Sequence, residues 1–166
     1  MNEKNTQKLY QDFPVLYRDA RPGVEDSCVQ WGFSCGDGWY KLIRKLSAAI
    51  EAEAKKLGLD TQSEEWPRAL QVKEKFGTLR FYVVTPADSS ESQSEGVGVE
   101  SVGGVVSIRP IARVQSIREL VSQAEATSAE ICETCGAPGS LNTDGGWWRT
   151  TCGHCDAKRN EEVGEA

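Results

Sequence analysis

The chain has one histidine and one methionine in 166 residues, and no apolar run approaches the roughly 18 residues that a membrane-spanning helix requires. With so little histidine, no Ser-His-Asp or Cys-His pairing can be read. No glycine pattern of the Walker or Rossmann type appears either. The first 15 residues, MNEKNTQKLYQDFPV, lack the apolar stretch of a secretory signal, so the expected location is the cytoplasm, where cysteines stay reduced. Basic residues do not prevail: 19 Lys and Arg stand against 25 Asp and Glu, a net charge of −6. A protein that grips a polyanion normally shows the opposite balance, which makes long nucleic acid a poor partner.

The chain does have six cysteines and five tryptophans. Four of the cysteines fall in CETCGAPGSLNTDGGWWRTTCGHC, as Cys132-x2-Cys135 and Cys152-x2-Cys155 with sixteen residues between the pairs. That is the spacing of a four-thiolate zinc site, with an iron–sulfur cluster or two disulfides as alternatives. Four sulfurs leave no open coordination position, so the expected Zn2+ is structural, one per chain. His154, between Cys152 and Cys155, is expected outside the ligand set, although exchange with Cys155 stays open. Zinc with four thiolates adds about −2 to an already acidic segment, a further argument against DNA phosphates as its target.

Periodicity supplies the framework. Trp39, Leu42, Ile43, Leu46, Ala49, Ile50, Ala54 and Leu57 recur at helical spacing, predicting a helix over 39–57 with Asp37 as N-cap and Gly58 as stop. LQVKEKFGTLRFYVV, 70–84, alternates with period two on both sides of Phe-Gly, predicting a β-hairpin. Leu70, Val72, Leu79, Phe81 and Val83 form its apolar face. Lys73, Lys75, Arg80 and Tyr82 form the other, which is either a solvated strand face or a cationic platform for an anion. Residues 88–104 are rich in Ser, Glu and Gly, hold four acids and no base, and read as a flexible linker. VVSIRPIARV, 105–114, suggests a strand, followed by a second helix from Ile111 to about Ile131. The expected organisation is an α+β core over 1–87, the linker, a strand and helix over 105–131 completing the core, and a zinc ribbon with an acidic tail over 132–166. The fold class is α+β: a small antiparallel sheet, two main helices and a C-terminal zinc knuckle.

The stretch WGFSCGDGWYKLI, 31–43, has more turn chemistry and aromatic surface than a helix start requires. Trp31, Phe33, Trp39 and Tyr40 offer flat surface for stacking. Gly36 and Gly38 allow close backbone approach, and first-turn N–H groups can bind an anion, although Asp37 would compete for them. Cys35 lies just before a helix start, where the dipole would favour thiolate; Cys28 and Cys35 otherwise read as inert free thiols. The candidate ligand-binding residues are therefore Trp31, Cys35, Asp37, Trp39, Lys73, Lys75, Arg80 and Tyr82.

FPVLYRD, CVQWGFSCGDGWYKLI, VKEKFGTLRFYV and the closing CETCGAPG…GWWRTTC together resemble a family of small uncharacterised phage and prophage proteins with a C-terminal zinc knuckle. The resemblance covers most of 10–155 except 86–104. The last ligand of that family is often histidine; Cys155 stands there in this chain, which implies a retained metal site with altered ligands. It also implies an accessory protein that counters host defence without catalysis. Such a protein would sequester a small anionic, nucleotide-like signal or block a host defence protein. A zinc-ribbon adaptor on nucleic acid or the transcription machinery, and an enzyme dependent on Cys35, are the other readings.

Overall fold

The computed structural model describes residues 1–20, 28–85, 97–102, 105–110, 114–143 and 146–164. Its elements run α1 (Glu3–Asp12), α2 (Tyr40–Lys56), β1 (Arg68–Lys75), β2 (Thr78–Val84), β3 (Val97–Val102), β4 (Val105–Pro110), α3 (Gln115–Ser128), β5 (Ser140–Asn142), β6 (Arg149–Thr151) and α4 (Gly153–Gly164). The strands pair as three antiparallel ribbons, β1–β2, β3–β4 and β5–β6, so the fold is α+β.

Helix α2 buries the expected stripe: Ile43, Leu46, Ile50 and Ala54 face inward, with Ser47 among them. Ser47 is tolerated there because its hydroxyl donates to the Ile43 carbonyl at 2.8 Å and meets the Tyr17 hydroxyl at 2.7 Å. Helix α3 packs beside α2 and lays Ile117, Val121 and Ala124 against the same core. It starts at Gln115; Ile111, expected as its first apolar residue, lies outside the described residues. Helices α1 and α4 were not expected. EKNTQKLYQD and GHCDAKRNEEVG carry too few apolar residues to show a stripe, and α1 buries just Thr6 and Leu9.

The β1–β2 hairpin turns at Phe76 and Gly77, both with positive φ (55° and 74°), which is the twist a tight two-residue hairpin demands. Its register pairs Val72 with Phe81 and Glu74 with Leu79. A bulge between Ala69 and Gln71 corrects one expectation. Leu70 is the extra residue, and Ala69, fully buried, takes its place on the core face.

The outer edge of β2 does not face water. The Leu79 N–H donates to the Ser128 hydroxyl at 2.8 Å and the Phe81 N–H to the Glu125 carboxylate at 3.0 Å, both side chains coming from α3. An exposed strand edge is a template for wrong pairing, and this one is closed by a helix.

Residues 97–102, expected to belong to the flexible linker, form β3. Valines alternate through Val97, Val99 and, after Glu100 and Ser101, Val102, and the stretch pairs residue for residue with β4, Val97 opposite Pro110 and Val102 opposite Val105. Linker residues 88–96 and 103–104 lie outside the described residues.

Candidate metal centre

The ribbon β5–β6 brings the two C-x2-C turns together. The Sγ atoms of Cys132, Cys135, Cys152 and Cys155 all lie within 4.8 Å of one another. Cys135 and Cys152 are 3.6 Å apart. Sulfurs at the corners of a tetrahedron with zinc–sulfur bonds of about 2.3 Å would be about 3.8 Å apart, so the tetrad has the size of a metal site. Cys132 is the buried member. Burial alone would raise its thiol, but backbone N–H groups of Cys135, Cys152 and Thr134 turn toward the sulfur and hold it down at about 6. The neighbouring thiols of Cys135 and Cys152 push Cys155 up to about 12. His154 is exposed on the first turn of α4, and the sulfurs make up the cluster without it.

The knuckle is fastened to the N-terminal half by the stretch that posed the puzzle. Gly36 N–H donates to the Glu133 carboxylate at 2.8 Å, and Gly38 N–H to the Glu133 carbonyl at 2.7 Å. The Trp39 indole N–H donates to the Ile131 carbonyl at 2.8 Å. A Cβ on Gly38 would stand 2.1 Å from the Cys132 carbonyl oxygen, and one on Gly36 2.3 Å from that of Glu133. The glycines thus admit the knuckle's own backbone, and the anion expected at this corner is supplied internally by Glu133. From the other side, Ser34 bridges to β1, its N–H donating to the Val72 carbonyl at 3.0 Å and its carbonyl accepting from the Glu74 N–H at 2.9 Å. The hairpin tip joins as well: the Thr150 hydroxyl donates to the Gly77 carbonyl at 2.7 Å, and the rings of Phe76 and Trp148 meet edge to face at 6.0 Å.

Several expected ligand-binding residues are consequently structural. Trp39 is fully buried and offers no stacking face. Cys35 is buried too, and desolvation, with the carboxylates of Glu133, Asp37 and Glu74 adding to it, pushes its thiol up to about 12, opposite to the expected thiolate. Asp37 does not cap α2, whose N-cap position is Trp39 with no side-chain hydrogen bond. Its carboxylate instead accepts from the Asn2 N–H and the Asn5 amide, each at 2.9 Å, tying α1 to the corner, and those donors lower its pKa. On the hairpin's second face Arg80 and Tyr82 are buried while Lys73 and Lys75 are half-buried, and the Arg80 guanidinium donates to the Thr78 hydroxyl and the Leu79 carbonyl. Lys73 lies over the Tyr82 ring at 5.1 Å, and Lys75 over Phe76 at 5.1 Å. Trp31 alone of the corner's aromatics is open, 80 % exposed beside a cavity of about 260 Å³ that Tyr10, Phe33, Gln7 and Glu3 help to line.

No family model, no curated protein and no solved structure matches this chain.

Sequence reasoning missed the ribbon tip, where Trp147 is 68 % exposed and Leu141 37 % exposed. The signal was present in the doubled tryptophan of DGGWWRTT, which alternation would have split into one inward and one outward ring. Among the described residues, no helix is long and apolar enough to cross a membrane.

Proposed function

We propose that the chain is a non-enzymatic accessory protein, of the phage type its motifs resemble, that blocks a host defence protein by docking on it. In this reading one structural zinc, held by Cys132, Cys135, Cys152 and Cys155, staples the C-terminal ribbon to the core. The observation that carries it is the placement of exposed aromatic surface. Trp147 stands exposed just before β6, and the knuckle next to that strand is tied to the core through the Gly36–Trp39 seat. Small-molecule sites are concave and enclose most of their ligand, whereas a projecting indole on a stiff element suits a protein surface. The burial of Trp39, Arg80 and Tyr82 removes most of the platform that a sequestered nucleotide-like signal would need.

The test expresses the full chain in a defended host. Restored phage plating, with a defence protein recovered on the tagged chain after cross-linking, is expected. Recovery of a nucleotide that heat releases intact, with no protein partner, would transfer the function to signal sequestration.

A further inference from the structure

Resting on the docking reading above, we infer that the cavity beside Trp31 receives an arginine side chain of the partner, stacked on the indole and paired with the Glu3 carboxylate. The residues that line this cavity fall within 1–10 and 28–33, all of them described, and together they form one surface. Trp31 contributes an indole that is 80 % exposed. Tyr10 and Phe33 add two rings with centroids 5.6 Å apart. The Tyr10 hydroxyl donates to the Val29 carbonyl, so its proton is already committed and is not offered to an anion. At about 260 Å³ the cavity falls below the roughly 300–1,000 Å³ of sites that enclose a whole small molecule. It has room for one long side chain rather than for a nucleotide.

Charge selects a cation. The Glu3 carboxylate accepts from the Gln7 amide at 2.7 Å through Oε1, and among the described residues no basic side chain pairs with it. Its charge reaches the rings, since Tyr10 is pushed up to about 12 first by burial and then by Glu3. Lys4 and Lys8, also on α1, do not line the cavity. The Met1 ammonium does line it, but donates to the Phe33 and Cys35 carbonyls, and its charge acts on the Asp37 and Glu133 carboxylates of the corner. A carboxylate beside an open indole face recognises an organic cation. Guanidinium suits this site better than ammonium. It is flat and weakly hydrated, so it can stack on Trp31 while its N–H edge meets Glu3, whereas a lysine ammonium keeps its water at so open a site. Tryptophan and arginine are also the residues most enriched where protein contacts concentrate their energy. A chain of net charge −6 draws a basic partner in the same sense.

The probe is N-acetyl-arginine amide, titrated into the isotope-labelled, zinc-loaded full chain and followed by NMR at the Trp31 indole N–H and the Gly32 backbone N–H. Both signals should move saturably, with an affinity that weakens as salt rises. The lysine analogue, the neutral near-isostere N-acetyl-citrulline amide and inorganic phosphate should each bind about threefold more weakly or worse. Glu3→Gln and Trp31→Ala, read at Gly32, should each lower arginine affinity about threefold or more, with the melting curve as in the parent. Signals that do not move, a lysine, citrulline or phosphate probe that binds as tightly as arginine, or full binding by folded Glu3→Gln overturns the assignment. If arginine binds as expected and no defence protein cross-links to the chain, the docking reading fails while the guanidinium site stands. If Trp31→Ala cross-links the defence protein as well as the parent does, docking stands and this cavity is not its seat.

Discussion

Replacing Gly38 by alanine adds one methyl group at the place where the two halves of the chain touch most closely. The backbone there is not left-handed, so alanine is conformationally acceptable and the effect is steric. The new Cβ would stand 2.1 Å from the Cys132 carbonyl oxygen, 2.5 Å from the Gly136 nitrogen and 2.6 Å from the Glu133 carbonyl oxygen. All three are backbone atoms in or beside the first C-x2-C turn, so none can swing away as a side-chain tip would. Overpacking of this kind costs about 1–3 kcal/mol, and the hydrogen bond from Gly38 to Glu133 adds about 1 kcal/mol if the knuckle retreats. A loss of roughly 3 kcal/mol in a chain of 166 residues lowers the melting temperature by roughly 6–12 °C. The same displacement should quicken zinc release to a chelating dye, which reads the knuckle directly. Gly153→Ala is the matched control: it sits in the second knuckle turn with nothing within 4 Å of a built Cβ, and should be neutral or slightly stabilising. If Gly38→Ala melts with the parent and holds zinc equally long, the corner is not the seat of the knuckle.

Other outcomes follow from the same contacts. Metal analysis should return about one zinc per chain, and Cys132→Ser should abolish it; stoichiometric iron would refute the assignment. Ser128→Ala leaves the Leu79 N–H buried without its acceptor and should cost about 1–3 kcal/mol in denaturant titration, whereas an unchanged midpoint would mean water reaches that edge. Cys35, raised to about 12 by burial, stays protonated in the fold when the unfolded thiol ionises above about 8.5. Its stabilising contribution is therefore complete below that pH and is lost on the way up to about 12, at most about 1.4 kcal/mol per pH unit. A falling denaturation midpoint from pH 8.5 to 10.5, flattened in Cys35→Val, checks this. Native labelling at neutral pH should accordingly find the exposed Cys28 and spare Cys35; rapid modification of Cys35 would contradict its burial.

Features that repeat locally were legible. The α2 stripe, the Phe-Gly turn and the thiolate spacing each declare themselves within a few residues, and the structure keeps all three. What could not be read was which distant backbone a local oddity serves. Gly36, Gly38 and Trp39 looked like ligand chemistry because their partners, Glu133 and Ile131, come more than ninety residues later, and no periodicity links them. Asp37 had the right spacing to cap α2 and was claimed by Asn2 and Asn5 instead, a competition settled by tertiary proximity. The strand in 97–102 was hidden by its Ser, Glu and Gly content, since weak β propensity is overridden once a partner such as β4 is available. Arg80 and Tyr82 carried the right polarity for an open face and are covered all the same, a fact that alternation, which reports a strand's own two sides, does not contain.

The fastening of the knuckle to the corner also sets an order of events during synthesis. Cys132 to Cys155 can close locally around a metal as soon as the last third of the chain is made, because the loop is short and its loss of entropy small. The corner has no such independence. Gly36 must wait for Glu133, 97 residues downstream, and the Trp39 indole for Ile131, 92 residues downstream. A nascent chain that already contains both α2 and the hairpin therefore carries an open seat, with an unpaired indole N–H and two uncovered glycines, until the ribbon arrives. Contacts of such long sequence separation form late and expose sticky surface meanwhile. If the knuckle closes on zinc as proposed, zinc supply governs how long the growing protein keeps that seat open, and starving the cell of zinc should reduce soluble yield before it reduces the stability of molecules already folded.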